Sequence, residues 1–201
     1  MSGWRLFGIG TIVFVTLSLA GSLFYGNGHY LMWLAGHRSP AADYFFYYVT
    51  KLGEEYGYVV IGVIFLFRHW RKSLMIAFLG FAVTLVTFLL KSAFQFERPS
   101  LFLARIGWEG PLTVLDYPLL SGHSSFPSGH SMAAWALFTF VAALYRKPSI
   151  AIACLLLAVS VSMSRVYLMA HFLQDVAIGA AVGFAIGYLA FYVYDTKLKI
   201  K

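Results

Sequence analysis

Six stretches of the chain are apolar almost without interruption, and most of the charge lies between them. The runs fall at residues 6–24, 53–67, 73–94, 129–145, 150–163 and 171–194. A helix needs about 20 mostly apolar residues to cross the hydrocarbon layer. Each run therefore predicts a spanning helix, the second a short one. Between the first two runs the chain is mixed and aromatic, with Tyr25, Tyr30, Trp33, Tyr44, Tyr47 and Tyr48. Such rings collect at the membrane–water boundary. They predict short interfacial helices, one following Pro40 with Asp43 as its cap. Residues 95–126 are the longest polar connection, where Pro99, Pro111 and Pro118 are expected to break helices.

The pattern predicts an all-α, polytopic membrane protein: six transmembrane helices in a bundle with short interfacial helices, residues 1–201 forming a single membrane domain. A leader peptide competes for the first run, because Arg5 precedes it and Ala20, Gly21 and Ser22 are small. The six-helix count needs that helix retained.

Composition sharpens this picture. The chain is 60% hydrophobic and 11% charged, where a soluble domain carries about 25% charge. A net charge of +7 on so little polar surface does not make a nucleic-acid footprint, and it fits the positive-inside bias. With six crossings, one side collects Arg5, Arg68, Arg71, Lys72, Arg146, Lys147, Lys197, Lys199 and Lys201 against Asp195 alone. The other side has Arg38, Lys51, Lys91, Arg98, Arg105 and Arg165 against Asp43, Glu54, Glu55, Glu97, Glu109, Asp116 and Asp175. The expected topology has both termini in the cytoplasm and the second group on the extracytoplasmic face of the plasma membrane. Cys154 is the one cysteine, so no disulfide forms within the chain.

The chemistry concentrates in residues 164–175, where Arg165, His171 and Asp175 stand in a mostly apolar chain. Ionisable residues at the edge of a span are by default functional candidates. If the chain is helical from Met169, His171 and Asp175 lie four apart on one face. The carboxylate can then orient the imidazole as a nucleophile or base. Lys91 and Arg98 approach one point if the third helix continues toward Pro99. Taken alone, they read as a snorkelling lysine and a solvated arginine. Ser128 and Gly129 open the fourth helix, where free N–H groups and the helix dipole make an anion site. Ser128 as a plain N-cap is compatible with that role. His130 follows as a candidate proton donor. In the sixth run Gly179, Gly183 and Gly187 recur every four residues and suit close helix packing, within the chain or in a dimer. A drift of about 40° per step predicts that only the first glycines face the bundle interior.

Taken together, Lys-x6-Arg-Pro at 91–99, Pro-Ser-Gly-His at 127–130 and Ser-Arg-x5-His-x3-Asp at 164–175 resemble the signature of the type 2 phosphatidic acid phosphatase superfamily. The chain's size resembles the compact bacterial phosphatidylglycerophosphatase B and undecaprenyl pyrophosphate phosphatase group. The resemblance implies that His171 attacks phosphorus to form a phosphohistidine and that Asp175 orients it. It implies that Lys91, Arg98, Ser128, Gly129 and Arg165 hold the phosphate oxygens. His130 would protonate the leaving group and then help activate water. No cofactor is implied. The sequence offers no carboxylate cluster for magnesium, so no metal requirement is expected. The expected partners are the bilayer and a membrane lipid phosphate: phosphatidylglycerol phosphate, phosphatidic acid, diacylglycerol pyrophosphate or undecaprenyl pyrophosphate. No nucleic acid and no obligate protein partner are inferred. The alternatives are a phosphatase for soluble esters, a lipid phosphotransferase using another acceptor, and a non-enzymatic lipid-binding or transport protein.

Overall fold

A computed structural model describes residues 2–198, and these contain helices and no strand. In chain order the helices are α1 (Gly3–Gly36), α2 (Pro40–Val49), α3 (Glu55–Ala93), α4 (Pro99–Arg105), α5 (Gly129–Tyr145), α6 (Pro148–Tyr167) and α7 (Leu173–Val193). A 3-10 turn, Thr50–Gly53, joins α2 to α3. Four segments are long and apolar enough to cross a membrane: Gly3–Gly36, His69–Ala93, Pro148–Tyr167 and Leu173–Leu198. Two apolar helices are shorter, Glu55–Phe67 and Gly129–Tyr145.

Two long helices are bent. α1 kinks at Gly26, whose φ of +63° with ψ of 157° is a conformation that glycine alone adopts readily. α3 kinks at His69 (φ −148°, ψ 59°). Its second half folds back beside the first, so the Ser73 hydroxyl donates to the Gly62 carbonyl at 2.9 Å. A Cβ on Gly80 would lie 3.2 Å from the Tyr58 ring.

The centre of the bundle is α5, where every residue from 131 to 140 is buried. A helix apolar all round belongs in a core, and α5 is packed by α1, α3, α6 and α7. Trp135 is fully buried between Phe7 and Phe14 of α1, with ring centroids 5.4 and 5.2 Å away. Its indole N–H donates to Ser162 Oγ at 2.9 Å. Ser162 Oγ lies 2.8 Å from Ser131 Oγ, which donates to the Val176 carbonyl. A short polar chain thus ties α5 to α6 and α7.

α7 lies against α5 along its whole glycine row. A Cβ on Gly179 would come within 2.6 Å of the Ser128 carbonyl, and Cβ atoms on Gly183 and Gly187 would strike the carbonyls of Met132 and Ala136. The three glycines therefore serve packing inside the chain, and the expected drift away from the interior does not occur. Helices pack along their four-residue ridges, which are themselves inclined to the axis. Both registers ascend together, so α5 and α7 run parallel.

Two local expectations are corrected. Ser39, not Asp43, caps α2 and accepts from the Ala42 amide at 3.3 Å. Pro40 occupies the first helical position, which makes its predecessor the cap; Asp43 instead accepts from the Tyr167 hydroxyl at 2.5 Å. Pro99 opens α4 instead of breaking a helix, because the first turn has no use for the missing N–H.

One end of the bundle gathers basic residues. Gly3 N donates to Arg146 O at 2.9 Å, Arg146 pairs with Asp195 at 3.2 Å, and Arg71 donates to the Leu198 carbonyl at 3.4 Å. The start of α1, the bend of α3, the α5–α6 turn and the end of α7 meet there. Of the basic group named from sequence, Lys199, Lys201 and the Arg68 side chain lie outside the described residues. The motif residues collect at the opposite end.

Candidate active site

The site is assembled from loop ends and helix starts. α6 ends at Tyr167 and α7 begins at Leu173. Between them Met169 takes a φ of +54°, and the amides of Ala170 and His171 both donate to the Arg165 carbonyl, at 3.0 and 3.1 Å. His171 therefore sits on a tight connection and not on the helix with Asp175. Asp175 occupies the third position of α7 and does what an acidic residue does in a helix's first turn. Its Oδ2 accepts from the Phe172 amide at 2.9 Å and from Ser125 Oγ at 2.5 Å. The pair still forms: His171 Nδ1 stands 3.6 Å from Asp175 Oδ2. That is ion-pair range, longer than a hydrogen bond. Neither His171 Nδ1 nor Asp175 Oδ1 has a hydrogen-bond partner among the described residues. Nδ1 is turned to the carboxylate, so Nε2 is the ring atom left for chemistry.

His171 is 2% exposed. Burial first, then the charges of Arg165, Arg98 and Lys91, hold its imidazole well below the usual histidine range. That direction favours the unprotonated ring, the form a nucleophile needs.

Arg165 is fully buried near the end of α6. Its Nη1 donates to Thr50 Oγ1 and to the Tyr117 hydroxyl, each at 2.7 Å, and its guanidinium lies 5.4 Å from the centre of the Tyr117 ring. Its Nε and Nη2 are buried with no partner among the described residues. Buried donors left unpaired carry a cost of about 1–3 kcal/mol each. A tetrahedral anion with several oxygens would satisfy both.

Lys91 and Arg98 do not share a helix as expected. α3 ends at Ala93 and Phe94 is extended (φ −119°, ψ 102°), so Lys91 lies in the last turn of α3 and Arg98 immediately before α4. Arg98 is buried; its Nη1 donates to Ala170 O at 2.9 Å and its Nη2 to Ser124 O and Oγ at 3.2 and 3.3 Å. It ties the polar connection to the residue before His171.

Ser128 caps α5, its hydroxyl accepting from the Ser131 amide at 3.4 Å, and its own amide donates to the Asp175 carbonyl at 3.0 Å. The start of α5, with Gly129, thereby meets the first turn of α7. His130 Nε2 lies 3.3 Å from Glu54 Oε1. Between the halves of α3, a mostly apolar cleft of about 770 Å³ runs past Leu66, Ile76 and Phe88 to Glu54, Gly129 and His130.

Sequence reasoning missed Thr50, Tyr117, Ser124, Ser125 and Glu54. Ser124 and Ser125 adjoin Pro127-Ser128-Gly129-His130, which is a signal of a kind; the lone Thr50 and Tyr117 carry none. Among the described residues no three His, Cys, Asp or Glu side chains group as a metal site.

The PAP2 superfamily sequence profile matches residues 70–199. A lipid A 4'-phosphatase of Bacteroides thetaiotaomicron is 31% identical over 169 residues, spanning 81% of this chain and 74% of that protein. One of Porphyromonas gingivalis is 26% identical over 169 residues, 80% of this chain and 70% of that protein. Among solved structures, Aquifex aeolicus LpxE aligns over 83% of this chain and 94% of its own with a TM-score of 0.69 at 24% identity. A PAP2-type phosphatidylglycerolphosphate phosphatase of Bacillus subtilis aligns over 99% of this chain and 98% of its own, with a TM-score of 0.67 at 24% identity.

Proposed function

The chain belongs to the PAP2 superfamily, its relatives include lipid phosphatases, and on that premise we propose that it hydrolyses a lipid phosphate monoester through a phosphohistidine on His171, without a metal. The observation that carries this reading is a buried His171, its Nδ1 turned to Asp175, together with a buried Arg165 that has two donors free. His171 Nε2 attacks phosphorus, and the bond to the leaving oxygen breaks as His130 protonates it. Asp175 holds Nδ1 and offsets the charge the ring acquires. Water then attacks the phosphohistidine, His130 takes its proton, and inorganic phosphate leaves with His171 restored. Arg165, Lys91, Arg98, Ser128 and the Gly129 amide hold the oxygens throughout. Phosphoryl transfer needs mainly positioning and charge stabilisation, and these groups supply both.

The substrate we propose is the 4'-phosphate of a lipid A. Two relatives that bear this activity's name, at 31% and 26% identity, support it. The apolar cleft ending at His130 suits a lipid whose chains stay in the membrane while its phosphate reaches the site. The proposed architecture, residues 1–201 as one membrane domain, has six crossings, with the short helices Glu55–Phe67 and Gly129–Tyr145 completing the four long ones. Both termini are cytoplasmic and the site is extracytoplasmic. The basic end of the bundle supports that orientation.

The test is phosphate release by purified protein from a panel: lipid A 4'-phosphate, phosphatidylglycerol phosphate, phosphatidic acid, diacylglycerol pyrophosphate, undecaprenyl pyrophosphate and water-soluble glycerol phosphate. Release is expected to be fastest from lipid A 4'-phosphate, unchanged in excess EDTA, with phosphate passing to water. Binding without release, or release lost in EDTA and restored by magnesium, overturns the proposal. A preference for another lipid overturns the substrate alone.

A further inference from the structure

Glu54 stands where α3 begins, in the N-cap position, yet its side chain makes no capping hydrogen bond. Its carboxylate turns instead to His130, with Oε1 3.3 Å from Nε2. Both side chains are 28% exposed, so the contact is half-shielded from water. The backbone around it is locked. A Cβ on Gly53 would lie 2.7 Å from Val161 Cγ1 and 2.9 Å from the His130 carbonyl, so the chain just before Glu54 is pressed against α5 and α6. A Cβ on Gly57 would strike the Leu52 carbonyl, which closes the turn from the other side. The same segment sends Thr50 to Arg165 at 2.7 Å. Residues 50–54 thus reach the site twice, once at the phosphate-binding cation and once at the proton donor.

We infer that Glu54 is a positioning residue for His130: it accepts from Nε2–H, fixes the ring with its other nitrogen toward the leaving oxygen, and stabilises the imidazolium that must be present when the ester bond breaks. This rests on the reading of His130 as the proton donor. It assigns the transferred proton to Nδ1. In the first step the Nδ1–H bond breaks and the proton passes to the leaving alkoxide as the phosphorus–nitrogen bond to His171 forms. The neutral ring keeps Nε2–H on Glu54. In the second step Nδ1 accepts a proton from the attacking water. Glu54 stays ionised in both. The hydrogen bond from His130 holds its carboxyl below the usual range, ahead of the opposing effect of burial. The other charges around His130 are the cations Arg165 on α6 and Lys91 at the end of α3. His171 also lies within its electrostatic reach. Glu54 is the anion that counters them.

The experiment measures kcat/KM, which reports the steps through departure of the leaving group, for wild type and Glu54→Gln. Two substrates of the same lipid are used, one with oxygen and one with sulfur bridging to phosphorus. A thiolate leaves without a proton, so it does not need the acid. For the oxygen ester, Glu54→Gln is expected to lose about tenfold, part of the usual contribution of general acid catalysis. For the sulfur ester the two proteins should be equal. The alkaline limb of the oxygen profile should move down by about one pH unit, because losing a nearby carboxylate destabilises the imidazolium. An equal loss on both substrates, no loss on either, or an unmoved alkaline limb overturns the inference. His171→Asn in the same assay keeps the failures apart: retained release there sinks the phosphohistidine reading itself, whatever Glu54 does.

Discussion

A fully buried guanidinium with two unpaired donors is costly to hold inside a membrane protein, and Arg165 is held in just that state. Thr50 and Tyr117 fix one nitrogen and leave the fork open. Lysine keeps the charge but presents a point instead of a fork. Arg165→Lys is therefore expected to lower kcat/KM about a hundredfold, the scale of losing one transition-state donor, with the unfolding midpoint in detergent little changed. A loss confined to the midpoint would make Arg165 merely structural. At this scale the sequence was readable where chemistry dictates residue type and spacing. Arg165, His171 and Asp175 stood out because ionisable groups are rare in apolar chains. Thr50, Tyr117 and Ser125 were not readable, since a lone hydroxyl has no pattern and its partner lies 48 to 115 residues away in sequence. The spacing of His171 and Asp175 suggested a shared helical face, whereas the structure brings them together with a loop and a helix's first turn.

The helices themselves were legible, because long apolar runs have few other solutions in lipid. α5 begins and ends where its run does. The folding back of α3 at His69 was legible, because the polar stretch 68–72 separates the second apolar run from the third; the bend of α1 at Gly26 was not. Pro99 was read as a breaker, but it starts α4. The placement of the loops on the two membrane faces is open to direct test. Ser121 in the α4–α5 connection and Ser149 in the first turn of α6 are both exposed, while Cys154 is 5% exposed and should give little background. In intact cells an impermeant thiol reagent should label Ser121→Cys and not Ser149→Cys. The reverse pattern would invert the topology.

At the scale of the whole molecule, the fold is a frame around α5. α7 presses its glycine row on α5 and sets Asp175 beside Ser128, while α6 delivers Arg165. α3 delivers Lys91 at one end, Glu54 precedes its other end, and a cleft lies between its halves. Residues scattered from 50 to 175 converge because parallel α5 and α7 bring both their starts to the same end of the bundle. That convergence was foreseen in outline from the charge pattern, while the contacts that make it required the folded chain. The central claim is that the convergence exists to put phosphate on one imidazole nitrogen. The most direct measurement is to mix purified protein with lipid A 4'-phosphate labelled in the phosphate, quench within a turnover under alkaline denaturing conditions that preserve phosphohistidine, and locate the label by peptide mass spectrometry. Label on His171, absent in His171→Asn, is the predicted result. Phosphate release by wild type with no label on His171, or with label on another residue, would contradict it.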